Sequence, residues 1–179
     1  LAASAFFFGA AQAAVVVYYP LLLIAKFDIS QALVQRSFSS LGLGYLIGAI
    51  AVGFLPHRYT TDVLMTMSAS IGIAGVWLCV VSPNLLSASL GGFLFGLWNG
   101  SMISLLLDRI NQSSEAQHAR VTWSRFSIIL SLGFTISISC LSPISNNNVV
   151  MIVWIGLWLT FIHLSCQAMS RYLFSLRTH

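Results

Sequence analysis

Apolar stretches of about twenty residues follow one another along the whole chain, each closed by a short polar break. The first span runs over about 2–25 and stops at Lys26-Phe27-Asp28. Ser30 is placed to cap a second span over 31–55, which ends before Pro56-His57-Arg58. A third span, 62–82, opens on Asp62, a favourable charge at a helix N-terminus, and stops at Ser82-Pro83-Asn84. The fourth covers 85–107 and meets Asp108-Arg109. The polar stretch Asn111 to Gln117 is expected to be the longest connection. The fifth span is 118–141, followed by Pro143 and Asn146-Asn147-Asn148, and the sixth is 149–174. A helix of ~20 residues crosses the apolar core of a bilayer. Six such helices consume the whole length, so the pattern predicts one all-α, six-helix membrane domain over 1–179.

Composition agrees with the pattern. Of 179 residues, 58% are hydrophobic and 7% charged, with a mean hydropathy of +0.89. Water-soluble domains carry about 25% charged residues, so an ordinary globule, a disordered tail, a nucleic-acid module and a disulfide-stapled secreted domain are all excluded. Cys79, Cys140 and Cys166 fall in apolar stretches at spacings that fit no metal site, and their odd number argues against a disulfide framework. Neither a metal nor a cofactor is expected. The chain opens on Leu1 inside an apolar run, without a basic stretch, so a fragment is expected rather than a cleaved signal peptide.

Charge sets orientation. Arg58, Arg109, Arg120, Arg125, Arg171 and Arg177 fall on one side, against Lys26 and Arg36 on the other. Cytoplasmic loops carry the excess of lysine and arginine, so both termini are expected in the cytoplasm. Tyr18, Tyr19 and Trp77 then lie near the outer interface and Tyr172 near the inner one, as an aromatic belt requires.

Small residues mark contact faces. The second span carries Gly44-x-x-x-Gly48, with Gly42 and Gly53 nearby. The fourth carries Gly92, Gly96 and Gly100 at four-residue intervals. Small residues let backbones approach closely in lipid. In the fifth span serines (Ser127, Ser131, Ser137, Ser139) are expected to serve instead. A glycine stripe serves static packing, and it also lets helices rock against each other; the stripes alone do not separate the two.

The stretch Gly48-Ala-Ile-Ala-Val-Gly53-Phe-Leu55-Pro-His57-Arg58-Tyr-Thr-Thr-Asp62 resembles the loop signature of the major facilitator superfamily, G-x-L-a-D-R-x-G-R-R, keeping Gly53, Leu55 and Arg58. Gly44-Tyr45-Leu46-Ile47-Gly48 and the first-span ending Tyr19-Pro20 are similar to that family too. The family's aspartate is His57 here, and its glycine and two basic residues are Thr60, Thr61 and Asp62. The family's fourth-helix arginine aligns with Gly92. The resemblance implies one six-helix half of a twelve-helix transporter, a 3+3 inverted repeat, with a second half on the same or another polypeptide. A second half is favoured over a first, because signatures weaken in second halves. It also implies a bacterial inner membrane or an equivalent bilayer.

In that family the first and fourth helices of each half line the cavity, and substrate binds near the midplane. The resemblance thereby makes Gln12, Trp98 and Asn99 candidates for contact with a small solute of unspecified class. The two amides could equally serve as packing bonds between helices. His163 is an ionisable residue in mid-span, a candidate proton relay, or a neutral imidazole bonded to a nearby serine. The resemblance puts its helix at the periphery. Arg36, early in the second span, is expected to snorkel outward, with Asp28 the nearest acid in sequence. The four acids, Asp28, Asp62, Asp108 and Glu115, all fall at helix ends or in loops.

Two other functional classes also use six-helix membrane chains. An intramembrane serine protease would place a serine on the fourth helix and a histidine on the sixth, as Ser101 and His163 do. The surroundings Asn99-Gly100-Ser101-Met102 and Ile162-His163-Leu164-Ser165 lack the G-x-S-G and A-H-x-x-G patterns, so no enzyme is expected. A non-catalytic structural subunit of a larger membrane assembly is the remaining alternative.

Overall fold

The computed structural model describes residues 2–54, 59–113, 116–145 and 148–175. Among these residues six helices are long and apolar enough to cross a membrane, as in an integral membrane protein. They are α1 (Ala2–Phe27), α2 (Gln31–Phe54), α3 (Thr61–Val81), α4 (Leu85–Ser113), α5 (Ala116–Ser145) and α6 (Val149–Ser175).

Helix α1 is not uniform. Between Ala2–Gln12 and Tyr19–Phe27 lies a π-helical turn, Ala13–Val17. Pro20 follows directly and has no N–H to return to the carbonyl four residues back, which loosens the ladder where the wider turn forms. The helix closes at Asp28, whose left-handed backbone (φ 48°, ψ 46°) an aspartate tolerates better than most residues. Lys26 donates its ammonium to the Val80 carbonyl at the end of α3, satisfying a group that the helix leaves open.

Helix ends differ from the sequence expectation at the polar connections. The expected long loop 111–117 is largely helical: α4 continues six residues past Leu107 to Ser113, and α5 resumes at Ala116. Polar side chains do not stop a helix that reaches the membrane surface, and one such pair, Gln112 to Asp108, closes at 2.8 Å one turn apart. Similarly α5 runs through Pro143 to Ser145, since a proline in the last turn sacrifices a single backbone bond. Thr60 caps α3, and Asn84 and Asn148 accept from the N–H groups of Ser87 and Met151 at the starts of α4 and α6.

Helices α1 and α4 form the centre. In α1 67% of the spanning window is buried and in α4 61%, against 22% in α2 and 17% in α5. Helix α4 packs on α2 and α3, α1 packs on α5 and α6, and α3 touches α6.

The close approaches use glycine. A side chain on Gly44 or Gly48 would strike the backbone of Phe93 or Leu97 in α4. One on Gly96 or Gly100 would strike the backbone of Leu41 or Tyr45 in α2. Gly92 does not share this seam; it faces the ring of Tyr19. Each four-residue step turns about 40° beyond a full rotation, so Gly92 and Gly100 point roughly 80° apart. The α1–α5 contact likewise rests on Gly9 and Gly133, each against opposing backbone, rather than on the expected serines. Of those serines, Ser137 bonds the Ala10 carbonyl at 3.1 Å, whereas Ser131 and Ser139 are exposed. Gly42 and Gly53 face open space.

Candidate functional site

Gln12 and Asn99 sit about midway along the two central helices and bond to each other, the Gln12 amide nitrogen donating to the Asn99 side-chain oxygen. Gln12 is half-buried and Asn99 is buried. Higher up, Tyr19 Oη donates to the Ala88 carbonyl at 2.9 Å, a second tie between α1 and α4. The π turn of α1 lies between these two ties.

Trp98, expected beside these amides on the cavity, turns away from them. Its indole is fully buried, packed edge-on against Phe8 and Phe95 with centroids 5.1 and 5.2 Å away. Gly72 of α3 leaves the room the ring occupies. Adjacent residues on a helix point 100° apart, so Trp98 and Asn99 cannot both face one cavity wall.

His163 is also corrected. It does not lie at the periphery but is fully buried against α1 and α4. Its Nδ1 lies 2.9 Å from the Ser4 carbonyl and 3.2 Å from Ser4 Oγ, and its Nε2 lies 2.9 Å from the Gln167 amide nitrogen. The carbonyl can only accept, so Nδ1 carries the proton and Nε2 accepts from Gln167: a neutral imidazole satisfies both contacts. Two atoms of this cluster, Trp98 Nε1 and Gln167 Oε1, are buried without a hydrogen-bond partner. Ser4 and Gln167 escaped the sequence reading. A polar residue four positions after His163 on one helix face was the available signal for Gln167; nothing singled out Ser4.

Ser101 and His163 are not joined by a hydrogen bond. The Ser101 hydroxyl meets Ser68 Oγ at 2.5 Å and the Leu97 carbonyl at 2.8 Å. Tyr18 and Tyr19, expected as belt residues, are buried inside the bundle, while Trp77 is 49% exposed. Arg36 is exposed, and no ion pair or hydrogen bond joins it to Asp28.

Asp62 pairs with Arg109 at 2.6 Å across the α3–α4 junction, and Thr61 donates to Asp108 at 3.0 Å beside it. Of the remaining loop motif, Gly53 is exposed, and Leu55, His57 and Arg58 lie outside the described residues. Among the described residues no three histidines, cysteines or acids come together as a metal site would require. Compared with protein-family models, with curated proteins and with solved structures, the chain matches none.

Proposed function

We propose that this chain is one half of a secondary transporter that moves a small solute by alternating access, built on the major facilitator plan. The observation that carries the reading is the Gln12–Asn99 bond, a pair of uncharged hydrogen-bonding groups at mid-depth between the two central helices. The helix pairings support it. Exchanging α1 with α4, α2 with α5 and α3 with α6 turns the α2–α4 contact into α5–α1, and α3–α4 into α6–α1; α3–α6 maps onto itself. A shift of three helices reverses direction across the membrane, so these pairings are consistent with the 3+3 inverted repeat proposed here. The glycine contacts follow it as well, with Gly44, Gly48, Gly96 and Gly100 on the α2–α4 seam and Gly9 and Gly133 on the α1–α5 seam.

The site offers amide donors and acceptors and no fixed charge, which favours a solute held by hydrogen bonds. Described acids stand at helix ends, so a coupling proton would use groups of the partner half. Trp98 is left out of the solute contacts and assigned to packing. The exposed flanks of α2 and α5 are the surfaces that remain for a second six-helix half. The excess of arginine on one side supports cytoplasmic termini.

Single cysteines at positions 12 and 99, in the full-length protein freed of its native cysteines, test the reading. Labelling by a membrane-impermeant thiol reagent, slowed at both positions by one solute, is the expected result. If neither position reacts from either side in any condition, the amide pair is a packing bond, and the structural-subunit alternative takes its place.

A further inference from the structure

Helices α3 and α6 face each other with apolar residues at the same helical spacing, yet they do not close. Ser70, Ile73, Ala74 and Trp77 line one wall. Trp154, Leu157, Trp158 and Phe161 line the other. The volume between them is about 460 Å³. Leu157 is 3% exposed and forms the floor, while Trp158 is 66% exposed and forms the rim, so the cleft opens away from the bundle. Trp77 and Trp154 close one end with edge-on rings 5.4 Å apart. Small residues on α3 opposite large aromatic ones on α6 hold the walls apart.

The only hydroxyl on the walls, that of Ser70, is spent on the Thr66 carbonyl at 2.9 Å. The lining is otherwise hydrocarbon and aromatic ring, with the indole N–H groups of Trp77, Trp154 and Trp158 its other polar atoms, so the cleft suits an apolar occupant. From Ser70 to Trp77 the wall runs seven residues, about 10 Å along the helix axis. That is about a third of a ~30 Å hydrocarbon core, reaching from mid-span towards one end. At that depth the surrounding medium is lipid hydrocarbon, whose chains run roughly parallel to the helices. An empty apolar cleft forfeits the dispersion contacts of its lining, and a flexible chain restores them.

We propose that the α3–α6 cleft is a binding site for one acyl chain of a membrane phospholipid. Trp77 and Trp154 hold one end closed and Leu157 the floor, so the chain there is ordered and exchanges more slowly than its neighbours. The site is separate from the Gln12–Asn99 pair and stands whether or not the protein transports a solute.

The test uses the full-length protein in phospholipid vesicles containing a phosphatidylcholine with a photoreactive diazirine midway along one chain. Unlabelled phosphatidylcholine serves as competitor. Crosslinks are expected to saturate and to concentrate on the peptides carrying Trp154–Phe161 and Ser70–Trp77. Ala74→Phe fills the cleft and Trp158→Ala removes its rim. Each is expected to reduce this labelling about tenfold, Trp158→Ala through the loss of roughly one aromatic contact's worth of binding and Ala74→Phe by occupying the space. Leu86→Phe, at the exposed start of α4, is expected to leave it unchanged. Trp158→Ala alters an exposed ring and keeps the test informative if Ala74→Phe does not fold. Labelling spread evenly over all exposed helices, labelling that never saturates, or no labelling of the cleft would overturn the proposal.

Discussion

The Asp62 carboxylate lies 2.6 Å from a guanidinium nitrogen of Arg109, tying the start of α3 to the last turns of α4. Asp62 is an acid in the first turn of its helix, where the exposed N–H groups favour it. The pair is 42% exposed at Asp62 and 23% at Arg109, so water and salt screen it. Asp62→Asn is expected to cost less than about 1 kcal/mol. Thermal unfolding of the purified protein at low and high ionic strength checks this, with the difference from wild type shrinking as salt rises. A large loss that ignores salt would contradict a screened surface pair.

The glycine seam between α2 and α4 predicts a sharper response. Gly96→Leu and Gly44→Leu force side chains into opposing backbone and should destabilise by ~1–3 kcal/mol or more. Gly53→Leu, with open space around it, should be nearly neutral in the same unfolding assay. Equal effects at the three positions would mean that α2 and α4 do not pack through Gly44 and Gly96.

The amide tie between the central helices is open to a double-mutant cycle. Gln12→Leu, Asn99→Leu and the double variant should give a coupling energy of about 0.6 kcal/mol, and no more than ~1.7. A coupling of zero would show that the two amides do not bond in the membrane.

The buried histidine predicts an asymmetry. His163→Leu leaves the Gln167 amide nitrogen only its weak contact to the Met102 sulfur at 3.4 Å, beside an oxygen that already lacks a partner, and should cost ~1–3 kcal/mol. Gln167→Leu leaves His163 Nε2 without its donor but also removes the unpartnered oxygen, and should cost less. Comparing the two unfolding midpoints decides it; a costlier Gln167→Leu would require that oxygen to be bonded.

Orientation gives a last check. With the arginine-rich side in the cytoplasm, a cysteine at position 113 should resist impermeant reagents in intact cells and react once the membrane is opened. Ready labelling from outside would invert the topology.

Much of this protein is legible without coordinates, because hydrocarbon imposes a length and a tolerance for charge that any span must meet. The number of spans, their approximate limits, the Lys26–Asp28 and Ser82–Asn84 breaks, and the mid-depth position of Gln12, Asn99 and His163 all follow from counting residues. Rotation about each helix axis does not. A soluble helix shows its buried face through a polar stripe, but here lipid and protein interior are both apolar, so the pattern is hydrophobic all round. Only packing decided that Trp98 and His163 point inward, that Tyr18 and Tyr19 are buried, and that Gly92 leaves the seam shared by Gly96 and Gly100. The same indifference hid Ser4, which becomes a partner of His163 only because α1 and α6 cross beside it, whereas Gln167 lies one turn along the same helix. Depth is a property of sequence, since it is measured along one chain. Facing is a property of the fold, since each helix turns towards whichever neighbour its small residues allow closest.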